Sequence, residues 1–114
     1  MGYSTLEEHA KENSSYTVPV AFTDEDGTAM TPDTSTIVWS LTNLAGSTIN
    51  SRSAVAITED TSIDITLSGD DLEVADDADT ERVIYVSCTY TSSYGTNLPF
   101  KDEIHFIVDP LLNT

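Results

Sequence analysis

At 114 residues the chain has room for one domain built around one hydrophobic core. Twenty acidic residues stand against four basic ones, Lys11, Arg52, Arg82 and Lys101, for a formal net charge of −16. Phosphate contacts need a basic surface, so this balance argues against direct binding to nucleic acid or to anionic membranes. Cys88 is the only cysteine, which excludes an internal disulfide. No apolar run approaches the roughly 20 residues that span a bilayer. The opening Met1-Gly2-Tyr3-Ser4-Thr5-Leu6-Glu7-Glu8 lacks the basic start and apolar stretch of a signal peptide. The acidity has two readings. One is solubility, with self-repulsion screened over about 8 Å at physiological salt; the other is a partner with a basic face.

Residues 1–14 are polar, with Tyr3 and Leu6 the only large apolar side chains, and read as an N-terminal arm or edge segment. From Tyr16 the apolar period is two, the signature of a half-buried strand: Tyr16, Val18, Val20 and Phe22 share one face. Pro19 lacks an amide donor and points to an edge position. Asp24-Glu25-Asp26-Gly27 and Thr31-Pro32-Asp33-Thr34 supply turns. The next strand puts Ile37, Trp39 and Leu41 inward. A turn at Asn43-Leu44-Ala45-Gly46 leads to an expected strand through Thr48, Ile49 and Asn50, whose phase continues to Val55 and Ile57. Ile63, Ile65 and Leu67 repeat the alternation. Ser68 to Asp79 reads as a turn into a short helix that tucks in Leu72 and Val74. Glu81 to Ser92 is the longest predicted strand, with Ile84, Val86, Cys88 and Tyr90 inward. A hairpin loop at Tyr94-Gly95-Thr96-Asn97 precedes a last strand from Pro99 to Val108, carrying Phe100, Ile104, Phe106 and Val108. Six or seven short strands without a long helix predict two packed antiparallel sheets over residues 15–114. The expected core centres on Val20, Phe22, Trp39, Leu41, Ile65, Val86, Cys88 and Phe106.

Chemistry-bearing motifs are sparse. Asp24, Asp26 and Gly27 look like the start of a calcium loop, but Thr28 and Met30 occupy places where further ligands belong, so a turn capped by Asp side chains fits better. Asp76, Asp77 and Asp79, with Asp70 and Asp71 nearby, are the densest carboxylates and the one weak metal candidate; solvated loops are equally acidic. His9 and His105 have no spaced metal partner and no Ser or Cys nucleophile in a strained turn. The strand phase buries Cys88, as for an inert core thiol. No cofactor and no enzymatic activity are expected.

Two resemblances frame these readings. Thr17-Val18-Pro19-Val20-Ala21-Phe22-Thr23-Asp24-Glu25-Asp26-Gly27, then Pro32, then Trp39-Ser40-Leu41-Thr42 and Gly46, resemble immunoglobulin-like domains. Trp39 matches that family's buried tryptophan of strand C, and Cys88 falls where strand F carries its cysteine. The strand B position holds Val20 or Phe22, so the family's inter-sheet disulfide is missing. More closely, Asn43-Leu44-Ala45-Gly46-Ser47-Thr48-Ile49-Asn50, Leu67-Ser68-Gly69-Asp70-Asp71-Leu72, and Thr89-Tyr90 through Leu98-Pro99-Phe100-Lys101-Asp102-Glu103 into Phe106 resemble small immunoglobulin-like proteins of tailed-bacteriophage particles. That resemblance implies an immunoglobulin-like sandwich of about seven strands located in a virion. It also implies a structural protein present in multiple copies, touching the major capsid protein or another virion protein by protein contacts alone. Decoration of the capsid is the leading expectation. A tail- or neck-associated module that binds a host surface or carbohydrate is the alternative. Tyr3, Leu6 and Tyr94, with Tyr85, are the side chains expected to meet a partner. A bacterial or archaeal surface domain is a third reading, weakened by the missing signal peptide.

Overall fold

The computed structural model describes residues 3–112; Met1 and Gly2 of the N-terminal segment and residues 113–114 lie outside it. Eight strands follow one another: β1 (Tyr3–Thr5), β2 (Ala10–Lys11), β3 (Ser15–Ala21), β4 (Val38–Asn43), β5 (Val55–Ala56), β6 (Ser62–Ser68), β7 (Glu81–Ser92) and β8 (Gly95–Asp109). A single 3-10 turn, Gly69–Leu72, sits between β6 and β7. The fold is therefore all-β. One sheet has the order β1-β8-β7-β4-β5, with β2 also on β8; β3 and β6 form a second sheet of two strands. Pairing is antiparallel except at the N-terminus, where β1 and β2 both run parallel to β8.

Alternation of side chains dictates how the sheets meet. β3 and β6 show strict exposed–buried alternation, so Tyr16, Val18, Val20, Ile63, Ile65 and Leu67 all face the large sheet. They meet Trp39 and Leu41 from β4, Ile84, Val86 and Cys88 from β7, and Ile104, Phe106 and Val108 from β8. Tyr16 packs on Phe106 at 4.9 Å between ring centroids, and Phe22 meets Phe100 edge-on at 5.2 Å. Every residue expected at the centre of the core is buried: Val20, Phe22, Trp39, Leu41, Ile65, Val86, Cys88 and Phe106.

Two segments depart from the expected pattern. The strand anticipated through Thr48, Ile49 and Asn50 is a turn. Ile49 and Arg52 both bond across to Leu41 of β4, and Asn50 and Ser51 have φ of +51° and +56°. The reason is Asp71. This carboxylate is buried in the 3-10 turn and accepts bonds from Asn50 Nδ2 (2.8 Å), Arg52 Nε (2.7 Å) and the Ser68 amide (3.1 Å). The left-handed stretch at Asn50 and Ser51 carries Asn50 and Arg52 to it together, and Asn tolerates that region better than most residues. At the other end, the β7–β8 connection is Ser93-Tyr94, and β8 already begins at Gly95. A register shift between Tyr90 and Ser92 lets the pair close early, leaving the turn-forming Gly95, Thr96 and Asn97 inside a strand.

Two measurements probe these packing claims. Trp39→Ala leaves a cavity between the sheets and is expected to lower unfolding free energy by about 3–5 kcal/mol in urea titration. Burial works to raise the pKa of Asp71, but its bonds to Arg52, Asn50 and the Ser68 amide outweigh that and hold it below the ordinary carboxylate value. The stabilisation is thus present above the unfolded-state value and is lost as pH falls through the lower folded-state value. Asp71→Asn is expected to be less stable at neutral pH and to show a flatter acid limb in thermal melts.

Candidate interaction surfaces

The residues with exposed recognition chemistry gather at three places. The first is the outer face of the large sheet. Glu81 and Tyr85 point outward from β7, and Lys101, Glu103 and His105 from β8, while Val83 between them on the same face is buried. The phase of β8 puts His105 on this outer face, yet its ring is buried beneath Tyr3 of β1, which stacks on it at 4.0 Å with 17° between planes. Nδ1 lies 3.0 Å from Glu81 Oε2 and Nε2 lies 2.6 Å from Glu103 Oε2. Both ring nitrogens therefore face carboxylate oxygens. A neutral imidazole has one donor, so only the doubly protonated cation satisfies both contacts. Burial opposes the charge, but the two carboxylates win and raise the pKa above the ordinary histidine value.

The N-terminal segment is consequently not a free arm over its described length. Leu6 donates its amide to the His105 carbonyl at 2.9 Å, and its side chain packs against the core instead of being presented to a partner. Ala10 is buried, and the Tyr16 hydroxyl donates to the Glu8 carbonyl. Of the four expected partner contacts, Tyr3 is exposed above His105, Tyr85 is exposed on the outer sheet face, Leu6 is turned inward, and Tyr94 projects from the hairpin tip, 67% exposed. Tyr94 is the second place.

The third is the acidic loop after β6, which holds the weak metal candidates Asp76, Asp77 and Asp79. Asp76 turns its carboxylate to the Ala78 amide at 2.9 Å, and Asp79 accepts from Asn43 Nδ2 and from Arg82. Asp77 is exposed. Among the described residues no three His, Cys, Asp or Glu side chains converge as a metal would require. What organises the loop is Arg82, a residue the sequence reading passed over. Its guanidinium is buried beneath the loop and donates to the carbonyls of Asp79 (2.9 Å), Glu81 (2.9 Å) and Glu73 (3.1 Å). The signal was available, since Arg82 lies in phase with Ile84 and Val86. Asp24 likewise caps a turn, accepting the Asp26 and Thr28 amides at 2.9 and 3.0 Å with Gly27 at φ +80°.

The remaining reactive groups are accounted for locally. His9 Nδ1 lies 3.0 Å from Asp109, and burial pushes the Cys88 thiol up to about 11, well above the range in which a thiolate would attack. Comparison with family models, with curated proteins and with solved structures finds no match.

The His105 cluster makes a pH prediction with a definite sign. Its folded-state pKa lies above the unfolded value of about 6.5, so its stabilisation is complete below that value and is lost as pH rises through the folded one. Thermal melts across this interval are expected to show a stability loss that His105→Gln lacks. A wild-type profile identical to that of His105→Gln contradicts the assignment.

Proposed function

We propose that the protein is a non-enzymatic structural component of a phage particle, bound to the outside of the head as a capsid decoration protein. The observation that carries the architectural half of this reading is strand order. With β3, β4, β5, β6, β7 and β8 taken as strands B, C, C′, E, F and G, the sheets are B-E and C′-C-F-G, the division of an immunoglobulin-like sandwich. Trp39 then sits on strand C and Cys88 on strand F, where the sequence resemblance puts them. The particle half rests on the resemblance to phage proteins. A module of this kind acts by docking in many copies across subunit junctions, which stabilises a shell through mass action without chemistry. The partner is the major capsid protein or another virion protein.

One observation favours the alternative of a tail- or neck-associated module: Tyr94 stands out at the tip of a long hairpin, an amphipathic ring placed for a host surface or a carbohydrate. Copy number separates the two. Quantitative mass spectrometry of purified virions is expected to find a stoichiometry near that of the capsid protein; six or twelve copies would overturn decoration in favour of the neck or tail. For the tail reading, Tyr94→Ala is expected to abolish binding of the isolated protein to host cells.

A further inference from the structure

Sheet edges expose unpaired amides and carbonyls, and folded proteins normally blunt them with proline, shortness, charge or a covering strand. Every edge but one is blunted here by proline, shortness or a covering strand; the remaining one carries charge alone. In β3, the bonds Phe22 N–H to Thr61 O and Gly69 N–H to Ser14 O fix which residues face β6. By that register Thr17, Pro19 and Ala21 turn their backbone groups outward, so Pro19 removes a donor from the open edge itself. In β8, the Val108 amide bonds to Thr80, which turns the odd-numbered residues outward. β1 and β2 cover this edge near Glu103–His105 and Val108–Asp109, and Pro99 blanks a donor in the uncovered part. β1, β2 and β5 are three residues long or less.

β6 is the exception. It is seven residues long, contains no proline, and pairs with β3 at every position from Ser62 to Ser68. Among the described residues no strand lies on its other side. The same register turns the amides and carbonyls of Ser62, Asp64 and Thr66 to that free edge. Ser68, the next in phase, has its amide taken by Asp71. We infer that the free edge of β6 is a docking edge for an extended, basic segment of another protein, which adds to the β3–β6 sheet as a third strand.

Charge selects this occupant over a second copy of the chain. Exposed Asp60 and Asp70 flank β6, and exposed Asp64 lies within it. In two-fold antiparallel pairing of two β6 edges, one central register sets Asp64 against the Asp64 of the copy. The next sets Asp60 against Asp70. Like charges directly opposite destabilise a strand pair, and each copy carries a net −16. Lysine or arginine at alternate positions of an incoming strand meets the same carboxylates favourably. The inference rests on the protein-contact reading above but not on the particle.

The test is amide hydrogen exchange by NMR on the full chain, with a synthetic peptide alternating lysine and valine as probe. In the free protein the Asp64 and Thr66 amides are expected to exchange fast and those of Ile63 and Ile65 slowly; the peptide should slow Asp64 and Thr66 by about tenfold or more. Thr66→Pro deletes one edge donor, as Pro19 does on β3, and should lose the peptide while keeping the Ile63 and Ile65 protection. Asp64→Lys leaves every amide in place and should weaken binding by charge alone, which keeps the test decisive if Thr66→Pro misfolds. Equal protection of Asp64 and Ile65 in the free protein would overturn the inference. So would equal binding of a glutamate–valine peptide, or protection of the same amides by self-association. Virion stoichiometry near the capsid protein's without edge binding rejects this edge alone; edge binding by a protein absent from virions rejects the particle alone.

Discussion

A sheet of two strands has to cover the inner face of a six-stranded one, and most of the irregular features of the chain follow from that constraint. β3 and β6 shield the middle, over Trp39, Ile84 and Phe106. The margins are closed by residues outside the regular strands: Leu72 and Val74 after the 3-10 turn, Met30 and Ile37 from the β3–β4 connection, and Leu6 and Ala10 from the N-terminal strands. No disulfide links the sheets, so the packing of these side chains has to hold them together. An acidic surface thus coexists with a nearly continuous apolar interior.

Closing the margins also uses up the positive charge. Arg52 is committed to buried Asp71, with its guanidinium 6.0 Å from the centre of the Trp39 ring, and Arg82 is buried under the acidic loop. Each pair has one buried member, Asp71 or Arg82, whose charge would be left uncompensated if the pair broke. Both arginines are therefore held by the architecture, even though the Arg52 side chain reaches the surface. Lys11 and Lys101 are the basic side chains left exposed. The outward field is therefore more uniformly negative than a count of four basic residues suggests, and His105, buried between the carboxylates of Glu81 and Glu103, leaves its cluster negative even when protonated.

Period-two alternation was legible wherever one face of a strand is buried and the other wet, as in β3, β6 and most of β7. There, burial alone decides which residues point inward, and the sequence carries that directly. Legibility failed where a distant residue decides local structure. Ile49, Val55 and Ile57 keep a strand-like phase, but the need of Asp71 for Asn50 and Arg52 bends the backbone into a turn. His105 reads as a surface residue because nothing near it in sequence announces Tyr3, which arrives from the other end of the chain. Gly95 and Asn97 read as a loop because their composition suits one; a register shift several residues earlier makes them strand. Arg82 shares the inward phase of Ile84 and Val86, but phase alone does not make its burial legible, because a buried guanidinium needs carbonyl partners, which the folded acidic loop supplies. The interaction surfaces were legible only in part for the same reason: Tyr94 is exposed by a local hairpin, whereas the fate of Leu6 and Tyr3 depends on parallel pairing with β8.

The distribution of edge protection carries information that side-chain motifs do not. Pro19 and Pro99 sit on different sheets, yet each falls at the phase where the missing amide would have pointed to open solvent. One residue earlier or later, either proline would have cost a ladder bond with the neighbouring strand. Placing both at the harmless phase protects the edges without weakening the sheets, which is how edge defence differs from incidental strand proline. Against that pattern the β6 edge, guarded only by the charge of Asp60, Asp64 and Asp70, is a chemically specific opening. It repels another copy of the same chain and accepts backbone pairing from a strand of opposite charge.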